Sequence, residues 1–142
     1  MEVSHVSRRL KIAMETVRGR AQVRRQRTAE ADKAFTVFLE TVAAPVTRQM
    51  ANALKVEGLA FTVGTPGGGL RLSADRGRDD FVEFALDTSG DEPQVMGRVR
   101  VTRGSRTIDD AAPIKAGAFP SDVTEEDVLE FLLRAVEPWL ER

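Results

Sequence analysis

The apolar residues of this chain change their spacing twice. Up to Leu54 they recur at every third and fourth position, between Leu59 and Val101 at every second, and from Val128 to Leu140 again at every third and fourth. A period near 3.6 reads as helix and a period of 2 as strand. The order is therefore helices, then strands, then a helix, which is an α+β arrangement. At 142 residues the chain has about one domain's length.

The two strand pairs can be aligned on their faces. Leu59, Phe61 and Val63 alternate with polar or small residues, as do Leu70 and Leu72, and Thr65-Pro66-Gly67-Gly68-Gly69 lies between the runs. Setting Val63 opposite Leu70 and Phe61 opposite Leu72 puts the apolar residues on one face, as a half-buried hairpin requires. In the second pair Val82, Phe84 and Leu86 alternate, Thr88 to Pro93 supplies turn chemistry, and Val95, Gly97, Val99 and Val101 alternate again. Pairing Leu86 with Val95 sets Phe84 opposite Gly97, which would make room for the ring, and Glu83 opposite Arg98 as a charge pair. Arg106 to Ile108 reads as a short edge strand. Residues 109–121, with two prolines and Gly117, read as loop.

The helical segments are read from their seams. Val3, Val6, Leu10, Ala13 and Val17 form one, which is lost between Arg18 and Arg27, where Gly19 weakens a helix by ~1 kcal/mol and the stretch reads either as exposed polar helix or as a break. The spacing resumes from Ala31 to Val42. Pro45 limits that helix and opens the next, which Gly58 caps. This gives two or three helical pieces over about 4–57. Thr124 is an N-cap, followed by Glu125, Glu126 and Asp127 where the helix dipole favours acids. The expected architecture is N-terminal helices, an antiparallel meander of four to five strands, and a C-terminal amphipathic helix packed on one sheet face, with the helix from Pro45 beside it.

Charge divides the chain. Residues 1–33 hold nine Lys/Arg against four Asp/Glu (+5) and residues 34–142 hold twelve against eighteen (−6), for a net −1. Residues 1–30 are read as a helical, basic dimerisation arm and residues 31–142 as an α+β body. The seam Val3, Val6, Leu10, Ala13 and Val17 has no partner in that body and is assigned as dimer contact. Arg18, Arg20, Arg24, Arg25 and Arg27 are the polyanion-binding candidates, set against a sequence pI of 5.9 and the absence of interleaved aromatics. The other reading of these arginines is pairing with the acidic body of a second copy.

Little catalytic chemistry is available. With no Cys, no Tyr, one His and one Trp, thiol chemistry, Cys-based zinc sites and imidazole-rich metal sites are excluded. His5 lies at the extreme N-terminus. The Gly-rich loop at 65–69 lacks the Lys-Ser/Thr of a phosphate loop and is read as a hairpin turn. Asp75, Asp79 and Asp80, which flank Arg76 and Arg78, together with Asp87, Asp91, Glu92, Asp109 and Asp110, lack calcium-loop spacing. Outward Arg71, Arg98, Arg100, Arg103 and Arg106 form a solvated sheet face if paired and an anion or acidic-peptide site if not. No catalytic, cofactor or metal residue is assigned.

No apolar run suits a signal peptide or reaches the ~20 residues of a membrane span, so the expectation is a cytoplasmic protein. In size, acidity and strand meander, though in no motif, the chain resembles small dimeric secretion chaperones. The functional expectation is a small soluble, non-catalytic binding or adaptor protein, a homodimer with a further protein partner. Nucleic-acid binding through the basic helix is the first alternative. A small-molecule binder or enzyme with a carboxylate/arginine site is the second.

Overall fold

The structure, a computed structural model, describes residues 1–76 and 79–141. It has the expected α+β architecture: a long N-terminal helical segment, a five-stranded antiparallel sheet in the order β1-β2-β3-β4-β5, and a C-terminal helix.

Helix α1 runs over Val3–Phe38 without interruption. Of the two readings of Arg18 to Arg27, an exposed polar stretch of helix or a break, the structure has the first. No other group lies within 4 Å of where a Gly19 side chain would begin, and the Arg, Ala and Gln residues around it are good helix formers that absorb the glycine's cost. Nor does Pro45 end the helical path. Leu39–Ala43 form one π-helical turn, and α2 follows directly at Ala44–Val56. Pro45 has no amide hydrogen to give to the carbonyl of Thr41, and its ring crowds that oxygen. A wider turn placed just ahead of it relieves the clash while the backbone stays helical. Gly58 then stops α2 as expected. Its φ is +85°, its amide donates to the Lys55 carbonyl at 3.0 Å, and the Leu59 amide donates to the Leu54 carbonyl at 2.8 Å, which is a Schellman cap.

The strands are β1 (Phe61–Gly64), β2 (Leu70–Ala74), β3 (Phe81–Asp87), β4 (Gln94–Arg103) and β5 (Arg106–Pro113). The second hairpin has the expected register, with Leu86 opposite Val95, Phe84 opposite Gly97 and Val82 opposite Val99. The first is displaced by two residues: Val63 faces Leu72 and Phe61 faces Ala74. A two-residue shift keeps every side chain on its face, so hydrophobic pattern alone does not distinguish the registers. The turn does, because Pro66–Gly68 form a tight 3-10 turn with Gly67 and Gly68 at positive φ. β5 also runs five residues beyond Ile108, through a segment expected to be loop. Its outward side is held by charge: Arg98 on β4 donates through Nε and Nη2 to Asp109 at 2.8 and 2.6 Å.

The core lies between one sheet face and the helices. Leu70, Leu72, Val82, Phe84 and Val95 meet Phe35, Phe38, Val46, Met50 and Leu54 from the N-terminal segment, and Val128, Leu132, Val136 and Trp139 from α3 (Glu125–Leu140). α2 packs on β1, β2 and α3, and α3 packs on β4. Gly97 does make room for a ring, but the ring is Phe131 of α3 rather than Phe84. A Cβ at position 97 would collide with Phe131 and lie 2.6 Å from Ile114 Cδ1. Among the described residues no helix is long and apolar enough to cross a membrane.

Candidate functional site

α1 presents two different surfaces along its length. Its first buried residue is Ala31. From Gly19 to Arg27 it runs beside the β3–β4 turn, where Arg20, Val23, Arg24, Arg27 and Asp91 line a cleft of about 410 Å³. Arg27 Nη1 lies 2.8 Å from Glu92 Oε1 of the same chain. Arg20, Arg24 and Arg27 thus share a cleft with acids of their own body, while Arg18 and Arg25 are exposed away from it. Before Gly19 the helix projects beyond the body. Val3, Val6, Leu10, Ala13 and Val17 are all exposed there, Val3 at 81% and Leu10 at 59%. Leu10, Ala13 and Val17 line a shallow apolar depression with Met14 and Arg18. His5 is exposed on the same projection.

The outer sheet face carries the arginines in paired form. Arg71 Nη2 lies 3.0 Å from Glu83 Oε2, and its guanidinium stacks 4.1 Å above the Phe81 ring. Arg98 pairs with Asp109 at 2.6 Å, and Arg100 approaches the same carboxylate at 3.9 Å. Glu83 therefore bonds to Arg71 rather than to Arg98, its cross-strand neighbour. The hydrogen bond from Arg98 holds the Asp109 carboxyl below the usual carboxylate range, and the same bond raises Arg98. Arg103 and Arg106, expected on this face, instead share the core side, because they fall in the alternation of Val99 and Val101 and pair across the β4–β5 ladder. There Arg103 reaches Glu141, just past the end of α3, at 2.7 Å. The outer face itself is a ladder of ion pairs, the solvated alternative of the two offered by the sequence.

The acidic clusters have structural work to do. Asp80 is 1% exposed. It accepts from the Trp139 indole N–H at 3.1 Å and from the Thr102 amide at 2.8 Å, tying α3 and β4 to the loop before β3. Asp75 accepts from the Thr62 hydroxyl. Asp87 accepts from the Ser89 hydroxyl and amide, and those bonds lower its carboxyl below the usual range. Arg78 lies outside the described residues. Among the described residues, no group of three or more His, Asp or Glu is placed to hold a metal ion. The Gly-rich turn opens onto a cleft bordered by Asp32 and Glu83, a poor setting for a phosphate.

One surface escaped the sequence. Between α3 and β5, on the core side of the sheet, runs a groove of about 410 Å³ with Val99, Val101, Ile108 and Ala112 on its floor and Phe131 and Pro138 on its wall. All eight residues of β5 are exposed, Ile108 at 49%. The signal available was the alternation Ile108, Asp110, Ala112, Ile114, which continues the period of the preceding strands through the segment read as loop.

No family model matches this chain, and no match was found among curated proteins or solved structures.

Proposed function

We propose that this chain is a non-catalytic binding or adaptor protein of the cytoplasm that acts through protein–protein contacts as a homodimer, with residues 1–30 as the dimerisation arm on a body of residues 31–142. The observation that carries this reading is the projecting start of α1. Helices in globular proteins turn an apolar stripe of this kind toward a core, yet the stripe from Val3 to Val17 is exposed along its whole length. The opposed charges of arm and body, +5 for residues 1–33 and −6 for residues 34–142, support a second copy as the cover.

Sedimentation of the full chain at tens of micromolar, beside a Leu10→Asp/Val17→Asp variant, tests it. The parent is expected to be a dimer and the variant a folded monomer. A monomeric parent overturns the reading. Nucleic-acid binding through Arg18, Arg20, Arg24, Arg25 and Arg27 is tested in parallel by gel shift with a DNA duplex at low and moderate salt. Tight, salt-sensitive binding, lost on replacing Arg20, Arg24, Arg25 and Arg27 by Gln without a change in oligomeric state, would put that function in place of the adaptor reading.

A further inference from the structure

The helical layer leaves one edge of the sheet uncovered. Five strands about 4.8 Å apart span roughly 20–24 Å, and two helices of about 10 Å each nearly match that width but are not centred on it. α2 sits on β1 and β2 and α3 on β4, which leaves the core side of β5 bare. The groove beside α3 is mostly apolar, with Asp110 and Arg103 on its strand side and Arg134 on its α3 wall, and it is open along the length of β5.

From this we infer that the groove between α3 and β5 receives residues 3–17 of α1 from a second copy, each chain placing its arm in the other's groove. The inference rests on the dimeric reading above and names the surface that reading leaves open. Three features of the chain converge on it. The lengths match: Val3 to Val17 rises about 21 Å as helix, and the eight-residue β4–β5 ladder is about 26 Å long. The ends match too. Pro113 pairs with Met96 and Asp87 with Gln94, so the Pro113 end of the groove and the β3–β4 turn lie at the same end of the sheet. That is the end at which α1 leaves the body, since Arg27 pairs with Glu92 of that turn. Two antiparallel arms related by a twofold axis then each point toward the partner's groove, and the interface is isologous.

Charge is the third feature. Glu130 and Glu137 are exposed one turn either side of Arg134 on α3, and Asp110 stands on β5. Of the other cations on this side, Arg103 is engaged by Glu141, and Arg106 stands opposite it at the far end of β5 from Pro113. The arm brings exposed Arg8, Arg9, Lys11 and Arg18 beside its apolar seam. A reciprocal exchange also counts each contact twice, which helps a single short helix approach the ~1,000 Å² of total buried surface that a specific interface needs.

The chain has no cysteine, so cross-linking is clean. V3C, V6C, L10C and V17C variants, each mixed with a separately prepared and differently tagged I108C chain, are oxidised and the products weighed. At least one mixture is expected to give the heterologous disulfide dimer as its main product. Ile108→Asp, at a half-exposed position, is expected to keep its thermal midpoint and weaken dimerisation at least tenfold. Four mixtures without the heterologous product overturn the inference, as does an I108D chain that dimerises like the parent. If L10C chains cross-link to each other instead, the arms pair with one another, and the dimeric reading survives without the groove. A monomeric parent removes both.

Discussion

The front of α1 and the whole of α3 are written in the same code. Val3, Val6, Leu10, Ala13 and Val17 recur at the spacing of Val128, Leu132, Val136 and Trp139. Yet the first set is exposed throughout, and the second is at most 3% exposed. Periodicity determines that each segment is a helix with an apolar side. What lies opposite that side determines whether burial follows, and for α3 it is a sheet face of large aliphatic and aromatic residues. The helix ends differ in the same sense. Thr124 and Asp127 form a reciprocal capping box at the start of α3, while α1 begins at Glu2 with no side-chain cap and no acid in its first turn.

The largest expected effect breaks this symmetry directly. Leu132→Ala removes a side chain with 0% exposure and should destabilise the fold by about 2–5 kcal/mol. Leu10→Ala, at an equivalent position in the spacing, should change monomer stability by less than about 0.5 kcal/mol, as exposed substitutions do. Urea denaturation at sub-micromolar concentration, where the proposed dimer is dissociated, measures both. A large loss from Leu10→Ala under those conditions would mean that α1 is covered within its own chain.

A second contrast concerns space instead of burial. At Gly97 an added side chain would run into the Phe131 ring and Ile114, whereas at Gly19 nothing lies within 4 Å. Gly97→Val should therefore overpack and cost about 1–3 kcal/mol despite the better strand propensity of valine. Gly19→Ala should stabilise α1 by up to about 1 kcal/mol. Adding Phe131→Ala to Gly97→Val makes a double-mutant cycle. The two changes should cost less together than the sum of their separate costs, because the second vacates the space that the first invades. Additive costs would place the strain elsewhere.

These particulars show which parts of the molecule were legible. The β3–β4 register could be read because setting Leu86 against Val95 also sets Glu83 against Arg98 and Phe84 against Gly97, side-chain matches that a two-residue slip would lose. The β1–β2 register could not, since a two-residue slip conserves the pattern and the tight turn at Pro66–Gly68 decided it. Gly97 was recognisable as a space-maker, but its ring comes from Phe131, thirty-four residues onward, and no strand-pairing rule reaches that far. β5 was cut short because Asp109 and Asp110 look like loop residues until Arg98 and Arg100 stand beside one of them. The arm's seam was visible as a stripe without a partner in the body. The groove was not, because it depends on which strands the helices come to rest over, and α2 and α3 leave β5 uncovered.

The smallest effect sharpens the comparison at the helix ends. Asp127 accepts from the Thr124 amide at 2.9 Å, and this bond, ahead of the Thr124 hydroxyl contact and the charge of Lys115, holds its carboxyl below the usual range against a smaller opposing effect of burial. A carboxyl whose folded value is depressed binds its proton more weakly than in the unfolded chain. Its stabilising contribution is therefore complete above the ordinary value of about 4 and is lost as pH falls through the depressed folded value. Asp127→Asn should cost about 0.3–1 kcal/mol at pH 7, the usual worth of an acid in a first helical turn. The gap between parent and variant should stay constant from pH 5 to 8 and close below about pH 4. Measuring the difference isolates this carboxyl from Asp87 and Asp109, which are depressed in both proteins and weaken both alike on acidification. Glu2→Gln at the uncapped start of α1 should leave stability unchanged across the same range. A gap that persists at pH 2.5, or that opens as pH falls, would show that Asp127 acts by shape and hydrogen bonding without its charge, and the contrast between the two helix starts would then rest on Thr124 alone.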